Sequence, residues 1–261
     1  MIAHAIEPNI TKKCKWCMGQ VPLWPEEIKI KREEKILKTI GFIGAFEKTD
    51  LIVYVAKILT ETGKKVLVID TTVLQKARYI VPAIAPTKFY VTEFEKIDIA
   101  VGFENLESID KYLEGIEENY DIVLIDIDSP EMFDTFGMLN AEKLYFITAF
   151  DKFSLRRGIE IIGEMRAKIE MTKILFEREI SDENDEYLNL LTLTSPIEWE
   201  KEKLYFPYDQ GDLTAIIENQ RLSKIKFKNL SEQYRESLYM LAKQIIPEVK
   251  PALIKKSMKD L

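Results

Sequence analysis

From Thr39 onward, apolar and polar positions follow two alternating periods. Lys65–Asp70 (Lys-Val-Leu-Val-Ile-Asp) and Asp121–Asp126 (Asp-Ile-Val-Leu-Ile-Asp) are apolar runs that close on a carboxylate, which predicts strands buried on both faces. Thr39–Ile43, Lys143–Thr148 and Lys173–Glu177 read the same way, and Phe89–Thr92, Ile97–Gly102 and Leu204–Phe206 add shorter candidates. Between them, Leu51, Val55, Ile58 and Leu59 repeat at helical spacing, and Gly63 ends that helix just past its last turn. Leu106–Asn119, Ser154–Lys168 and Leu230–Ile246 also predict helices, with the Met and Tyr residues of 234–240 on a core face. Ser181–Glu186 reads as a solvated acidic loop, and Leu188–Thr194 fits neither period. Lys224, Lys226 and Lys228 alternate with Ile225 and Phe227, as in an edge strand or extended arm.

Strands alternating with helices of this length predict right-handed βαβ units. The expected fold class is therefore α/β: a doubly wound, mostly parallel sheet with helices on both faces. Three segments are expected: an N-terminal extension over 1–38, the α/β domain over 39–246, and a basic tail over 247–261. In such sheets ligands lie outside the carboxyl ends of the strands.

Composition narrows the classes. Of 261 residues, 46% are hydrophobic and 31% charged, so the chain can bury a core and is not disordered throughout. The net charge of −7 argues against gripping nucleic acid over the whole surface. No uncharged stretch reaches the roughly 20 residues of a membrane span. No apolar stretch follows a basic start at the N-terminus, and two cysteines make no disulfide framework, so a reducing cytoplasmic setting is expected.

Three strand-end loops carry candidate chemistry. Gly41–Thr49 (Gly-Phe-Ile-Gly-Ala-Phe-Glu-Lys-Thr) places Lys48-Thr49 at a helix start, where a phosphate loop would use Lys on terminal phosphates and Thr on Mg²⁺. A helix start with a solvated lysine is the plainer reading of that pair alone. Asp70-Thr71-Thr72 and Asp126-Ile127-Asp128-Ser129-Pro130 put carboxylates after buried strands, where one can hold Mg²⁺ or its water. Ser129 and Ser154 have no histidine near them in sequence, since His4 is the only one, which argues against a Ser-His-Asp hydrolase.

Taken in order, these motifs resemble the MinD/ParA class of P-loop ATPases, including its TadZ/CpaE-like pilus-assembly members. The resemblance spans roughly residues 38–246. It rests on Lys38–Gly44 leading to Lys48-Thr49, on Gly63–Asp70, and on Tyr120–Asp126 with Ser129-Pro130. Thr148–Asp151 with Ser154-Leu155-Arg156, and Phe206-Pro207-Tyr208-Asp209, complete it. It implies a nucleotide site in which Gly44, Lys48, Thr49, Pro207 and Asp209 touch ATP or ADP. Thr49 and Asp126 would hold Mg²⁺, and Asp70 would assist the attacking water.

The departures bear on activity. Between Gly44 and Thr49 the loop is two residues shorter than the family's glycine-rich pattern and holds Ala45, Phe46 and Glu47. The extra signature lysine that reaches a dimer partner's nucleotide has no counterpart. Thr72 replaces a second aspartate, and Phe176-Glu177-Arg178 stands where an adenine-reading asparagine is expected. At ~6 Å and an effective dielectric of ~20, Glu47 would repel a phosphate by roughly 3 kcal/mol, a large part of the about 8 kcal/mol behind micromolar affinity.

The expected function is therefore a degenerate, non-hydrolysing or barely hydrolysing assembly or positioning factor. It would be a homodimer across the loop face, serving a cytoplasmic machine such as a pilus, secretion or segregation apparatus. An active ATP-dependent switch with a remodelled loop is the alternative, with DNA partition a less favoured use. Cys14 and Cys17 have zinc-knuckle spacing but too few ligands in one chain, leaving free thiols, a zinc shared between two chains, or a redox pair. Leu253, Ile254, Met258 and Leu261 share a helical face in a lysine-rich tail, read either as a packed or solvated helix or as a weak anchor at the inner membrane face.

Overall fold

In the computed structural model, residues 37–82, 87–114 and 119–259 are described. Cys14, Cys17 and nearly all of the 1–38 segment lie outside them. The elements run β1 (Lys38–Ile43), α1 (Thr49–Glu61), β2 (Val66–Asp70), α2 (Ala77–Ile80), β3 (Tyr90–Phe94), β4 (Ile97–Val101) and α3 (Leu106–Tyr112). They continue with β5 (Ile122–Ile127), α4 (Pro130–Thr135), β6 (Lys143–Ala149), α5 (Lys152–Gly163), β7 (Ile169–Glu177) and α6 (Asp182–Leu191). The last are β8 (Ile197–Pro207), α7 (Gln210–Arg221), α8 (Glu232–Ile245) and α9 (Pro251–Ser257).

The eight strands form one sheet in the order β3-β4-β2-β5-β1-β6-β7-β8. Every neighbouring pair is parallel except the β3–β4 hairpin. Alternation along each strand divides the core. Val66, Val68, Ile40 and Phe42 face a cluster shared with α1 and α8, whereas Leu67, Ile69, Val123 and Ile125 face one shared with α5. This is the doubly wound sheet with two covered faces that the apolar runs predict.

Two features place the loops. β2 and β5 pair so that Asp70 lies opposite Asp126, and β1 pairs with β5 so that Ile43 lies opposite Ile127. The carboxyl ends of three adjacent strands thus meet at one point. From there α1 enters the interior, with every residue from Leu51 to Leu59 buried. Lys57 in its middle is held by Glu61 (2.9 Å) and Glu95 (3.1 Å), so its charge is paired where it is buried.

Several local expectations are corrected. The acidic stretch after Ser181 is the first turn of α6, where Asp182, Glu183 and Asp185 meet the positive end of the helix, which explains how so charged a sequence winds. Lys224–Lys228 is an irregular link and not a strand; Ile225 and Phe227 are buried, and Asn219 Nδ2 donates to the Lys226 carbonyl. β8 is far longer than Leu204–Phe206 because Trp199, Leu204 and Phe206 all pack inward along it. The 251–257 segment is helical and packs against α1 and α8, with Ile254 fully buried.

Candidate functional site

Gly44 follows β1 at φ +141°, and a Cβ there would stand 2.2 Å from the Ile147 carbonyl oxygen. Only glycine lets the chain leave the strand this close to β6. The next residues turn back on themselves. Lys48 is buried; its Nζ donates to the Gly44 carbonyl at 2.8 Å and stands 2.7 Å from Asp126 Oδ1. Thr49 Oγ1 donates to Asp126 Oδ2 at 3.3 Å. Burial pushes the Asp126 carboxyl up to about 7, against the pull of Lys48 and helped by Asp70 and Glu47.

Lys48 provides no side-chain cap for α1. Glu47 does, because its Oε1 accepts from the Thr49 amide at 2.9 Å. A carboxylate of the chain itself thus occupies the helix N-terminus that would otherwise attract an anion. Lys76 then bridges Glu47 (3.4 Å) and Asp50 (3.0 Å), and Asp50 also accepts from Gln220 at 2.6 Å.

Phe46 points the other way. Its ring meets Phe176 at 4.7 Å and Tyr208 at 5.9 Å between centroids, and Phe176 stacks on Phe206 at 5.2 Å. Phe46, Phe176 and Tyr208 wall a cavity of about 170 Å³ that also includes Pro207 and Asp209. Asp209 caps α7 through the Gly211 amide at 2.6 Å. Gly44, Lys48, Thr49 and Asp126 therefore share one cleft of about 440 Å³, and Pro207 and Asp209 line the adjoining cavity. Asp70 stands beside Asp126 but serves its own turn, accepting from the Thr72 amide (3.0 Å), the Thr72 hydroxyl (2.6 Å) and the Ala77 amide (2.9 Å). Burial raises its pKa, with those bonds opposing.

The cleft and cavity fit magnesium nucleotide poorly in this arrangement. The helix amide is taken by Glu47, the lysine by Asp126 and Gly44, and the apolar end by Phe46. Four carboxylates (Glu47, Asp126, Asp128, Asp151) line the cleft against two lysines, Lys48 and Lys76. Among the described residues, no group of three His, Cys, Asp or Glu side chains is placed to hold a metal.

Two roles escape sequence reasoning because they depend on distant contacts. One is the Phe46 ring on Phe176 and Tyr208. The other is a polar knot in which Lys173 pairs with Asp185 at 2.6 Å and lies over the Trp199 ring at 5.1 Å, while Lys203 holds Asp185 at 2.8 Å.

No protein-family profile matches the chain, and no curated protein matches it. Solved structures do. The MinC:MinD cell division protein complex of Aquifex aeolicus superposes with a TM-score of 0.51 at 16% identity, over 82% of this chain and 98% of that one. A putative plasmid partition protein from Borrelia burgdorferi B31, bound to AMPPNP, gives 0.52 at 10% identity, over 82% and 99%. At such identities the likeness defines the fold, which is that of the MinD/ParA P-loop ATPases.

Proposed function

We propose that this chain is a degenerate relative of the MinD/ParA ATPases, of the TadZ/CpaE-like kind, that acts as an assembly or positioning factor without hydrolysing ATP. It works as a homodimer for a cytoplasmic machine such as a pilus, secretion or segregation apparatus. The observation that carries this reading is Glu47 Oε1 on the Thr49 amide, 2.9 Å away. Phosphoryl transfer depends on positioning and on stabilising developing negative charge. A loop whose own carboxylate caps its helix, and whose lysine is tied to Asp126, supplies neither. Calorimetric titration with magnesium ATP and ADP, followed by a phosphate-release assay, tests it. No heat of binding and no turnover above the protein-free rate are expected; micromolar binding with steady phosphate release would sink the idea.

A second reading, an active switch, is favoured by Thr49 Oγ1 lying 3.3 Å from Asp126 Oδ2, a pairing able to hold Mg²⁺ once Lys48 turns outward. It requires Glu47 to leave the helix end, and it predicts that Lys48→Ala abolishes nucleotide binding.

A further inference from the structure

A second cavity opens at the far side of the sheet from Phe46. Asp70 at the end of β2 pairs with Val101 at the end of β4, so Gly102 and the residues after it stand on the strand-end edge. There the turn after β4, the residues before β3 and α3 enclose about 400 Å³. A cavity of about 150 Å³ suffices for benzene, so this one has room for two fused rings and a polar head.

Its wall is aromatic and its charge is positive. Phe103 is buried at 7% exposure, while Phe89 and Tyr112 beside it stand 48% and 42% exposed. The three rings lie 5.3 to 6.1 Å apart between centroids. Lys88 and Lys111 line the cavity against one carboxylate, Glu104. Lys88 meets Glu104 at 3.9 Å and Lys111 meets Glu107 at 2.8 Å. All four side chains stand largely in solvent, where such pairs hold weakly. Two ammonium groups against one carboxylate make a positive opening in a chain whose net charge is −7.

The wall is fixed from both sides. Gly102 takes φ +83°, and a Cβ there would stand 2.2 Å from the Lys88 carbonyl oxygen, so glycine is what lets these two segments pass. The Arg78 guanidinium donates to the Thr87 and Lys88 carbonyls at 2.8 and 2.6 Å, which holds the segment carrying Phe89. Opposite it, Asn105 and Ser108 close a capping box on α3, the helix that carries Lys111 and Tyr112. A wall held in this way loses little freedom when it meets a ligand.

We propose that this cavity binds a small planar aromatic anion, a molecule of one or two rings bearing a carboxylate or a phosphate. Its rings lie against Phe89, Phe103 and Tyr112, in the offset or edge contacts that aromatic groups prefer. Its head turns to Lys88 and Lys111, which exchange weak solvent-exposed pairs for charge-assisted hydrogen bonds. The cavity shares no residue with the cleft of the Gly44–Thr49 loop, so the inference stands whether or not nucleotide binds there.

The test uses the full chain and calorimetric titration with naphthoate, naphthyl phosphate, naphthylmethylamine and the fully saturated decalin carboxylate. At least one aromatic anion should bind, and the tighter of the two names the head group. The amine should not bind, and the decalin acid should bind about tenfold more weakly because it cannot stack. Lys88→Gln combined with Lys111→Gln should weaken binding by about tenfold, and so should Phe89→Ser. Thermal midpoints check that both variants fold, and Tyr112→Ser is read in place of one whose midpoint moves. Nuclear Overhauser contacts in the parent chain should run from the probe to the rings of Phe89, Phe103 and Tyr112.

Failure of both aromatic anions to bind, equal affinity for the amine or the decalin acid, or unchanged affinity in the folded variants would overturn the proposal. Overhauser contacts to Phe46 or Phe176 would overturn it too, since they put the probe in the other cavity.

Discussion

The Lys48 ammonium stands 2.7 Å from Asp126 Oδ1, with both side chains almost wholly removed from water. Each charge stabilises the other where neither could be left alone. In this arrangement the lysine is part of the interior.

Replacing that lysine should therefore act on the fold. Lys48→Met leaves Asp126 buried without its cation and should lower unfolding free energy in urea by about 3 kcal/mol or more at pH 8, where the carboxyl is ionised. The double variant Lys48→Met with Asp126→Leu should lose much less than the sum of the single changes, as coupled partners do. Additive losses would show that the pair contributes no mutual stabilisation.

The same carboxylate sets a pH dependence. Its native pKa is raised to about 7 from 3.8, so between those values the folded chain holds a proton that the unfolded chain has released. Its stabilising contribution is complete below the unfolded value and is lost as pH rises through about 7. Urea midpoints taken from pH 5 to 8 should fall with pH in the parent chain, and this part of the slope should vanish in Asp126→Asn.

Asp185 should behave in the opposite sense. Burial pushes its carboxyl up, but hydrogen bonds from Lys173 and Lys203 more than offset this and hold it below the usual range. Its contribution is present above the unfolded pKa and is lost as pH falls through the lowered native one. Asp185→Asn leaves Lys173 buried without its counter-ion and should cost about 3 kcal/mol at pH 7. Acid titration followed by circular dichroism should find the variant's stability less dependent on pH below 5.

Gly44→Ala tests the loop directly. The backbone there is at φ +141°, and the new methyl would collide with the Ile147 carbonyl. A loss of at least about 2 kcal/mol is expected from strain and displacement together, read as a lowered thermal midpoint. Gly63→Ala, where a Cβ meets nothing within 4 Å, should cost less and reflect the positive φ alone.

Which of these features could be read in the sequence follows from the range of the forces involved. Val66–Asp70 and Ile122–Ile127 announced themselves because a strand buried on both faces needs an unbroken apolar run. The order of motifs from Lys48-Thr49 to Pro207-Tyr208-Asp209 pointed to the observed sheet. Asp182–Leu191 did not, because its helix is stabilised by acids at its positive end and by Asp185 reaching Lys173 and Lys203 on the sheet. The charge of Glu47 was legible, but its seat on the Thr49 amide was not, and neither was the distant aromatic wall that receives Phe46.

The burial of α1 along its length sets the mechanical character of the cleft. The loop leads into a rod clamped by the core, so the buried, hydrogen-bonded amides from Ile52 to Leu59 should exchange hydrogen about as slowly as the whole chain unfolds. Whatever meets this surface meets a mould already cast, and selection falls on the shape of the visitor more than on any yielding by the host.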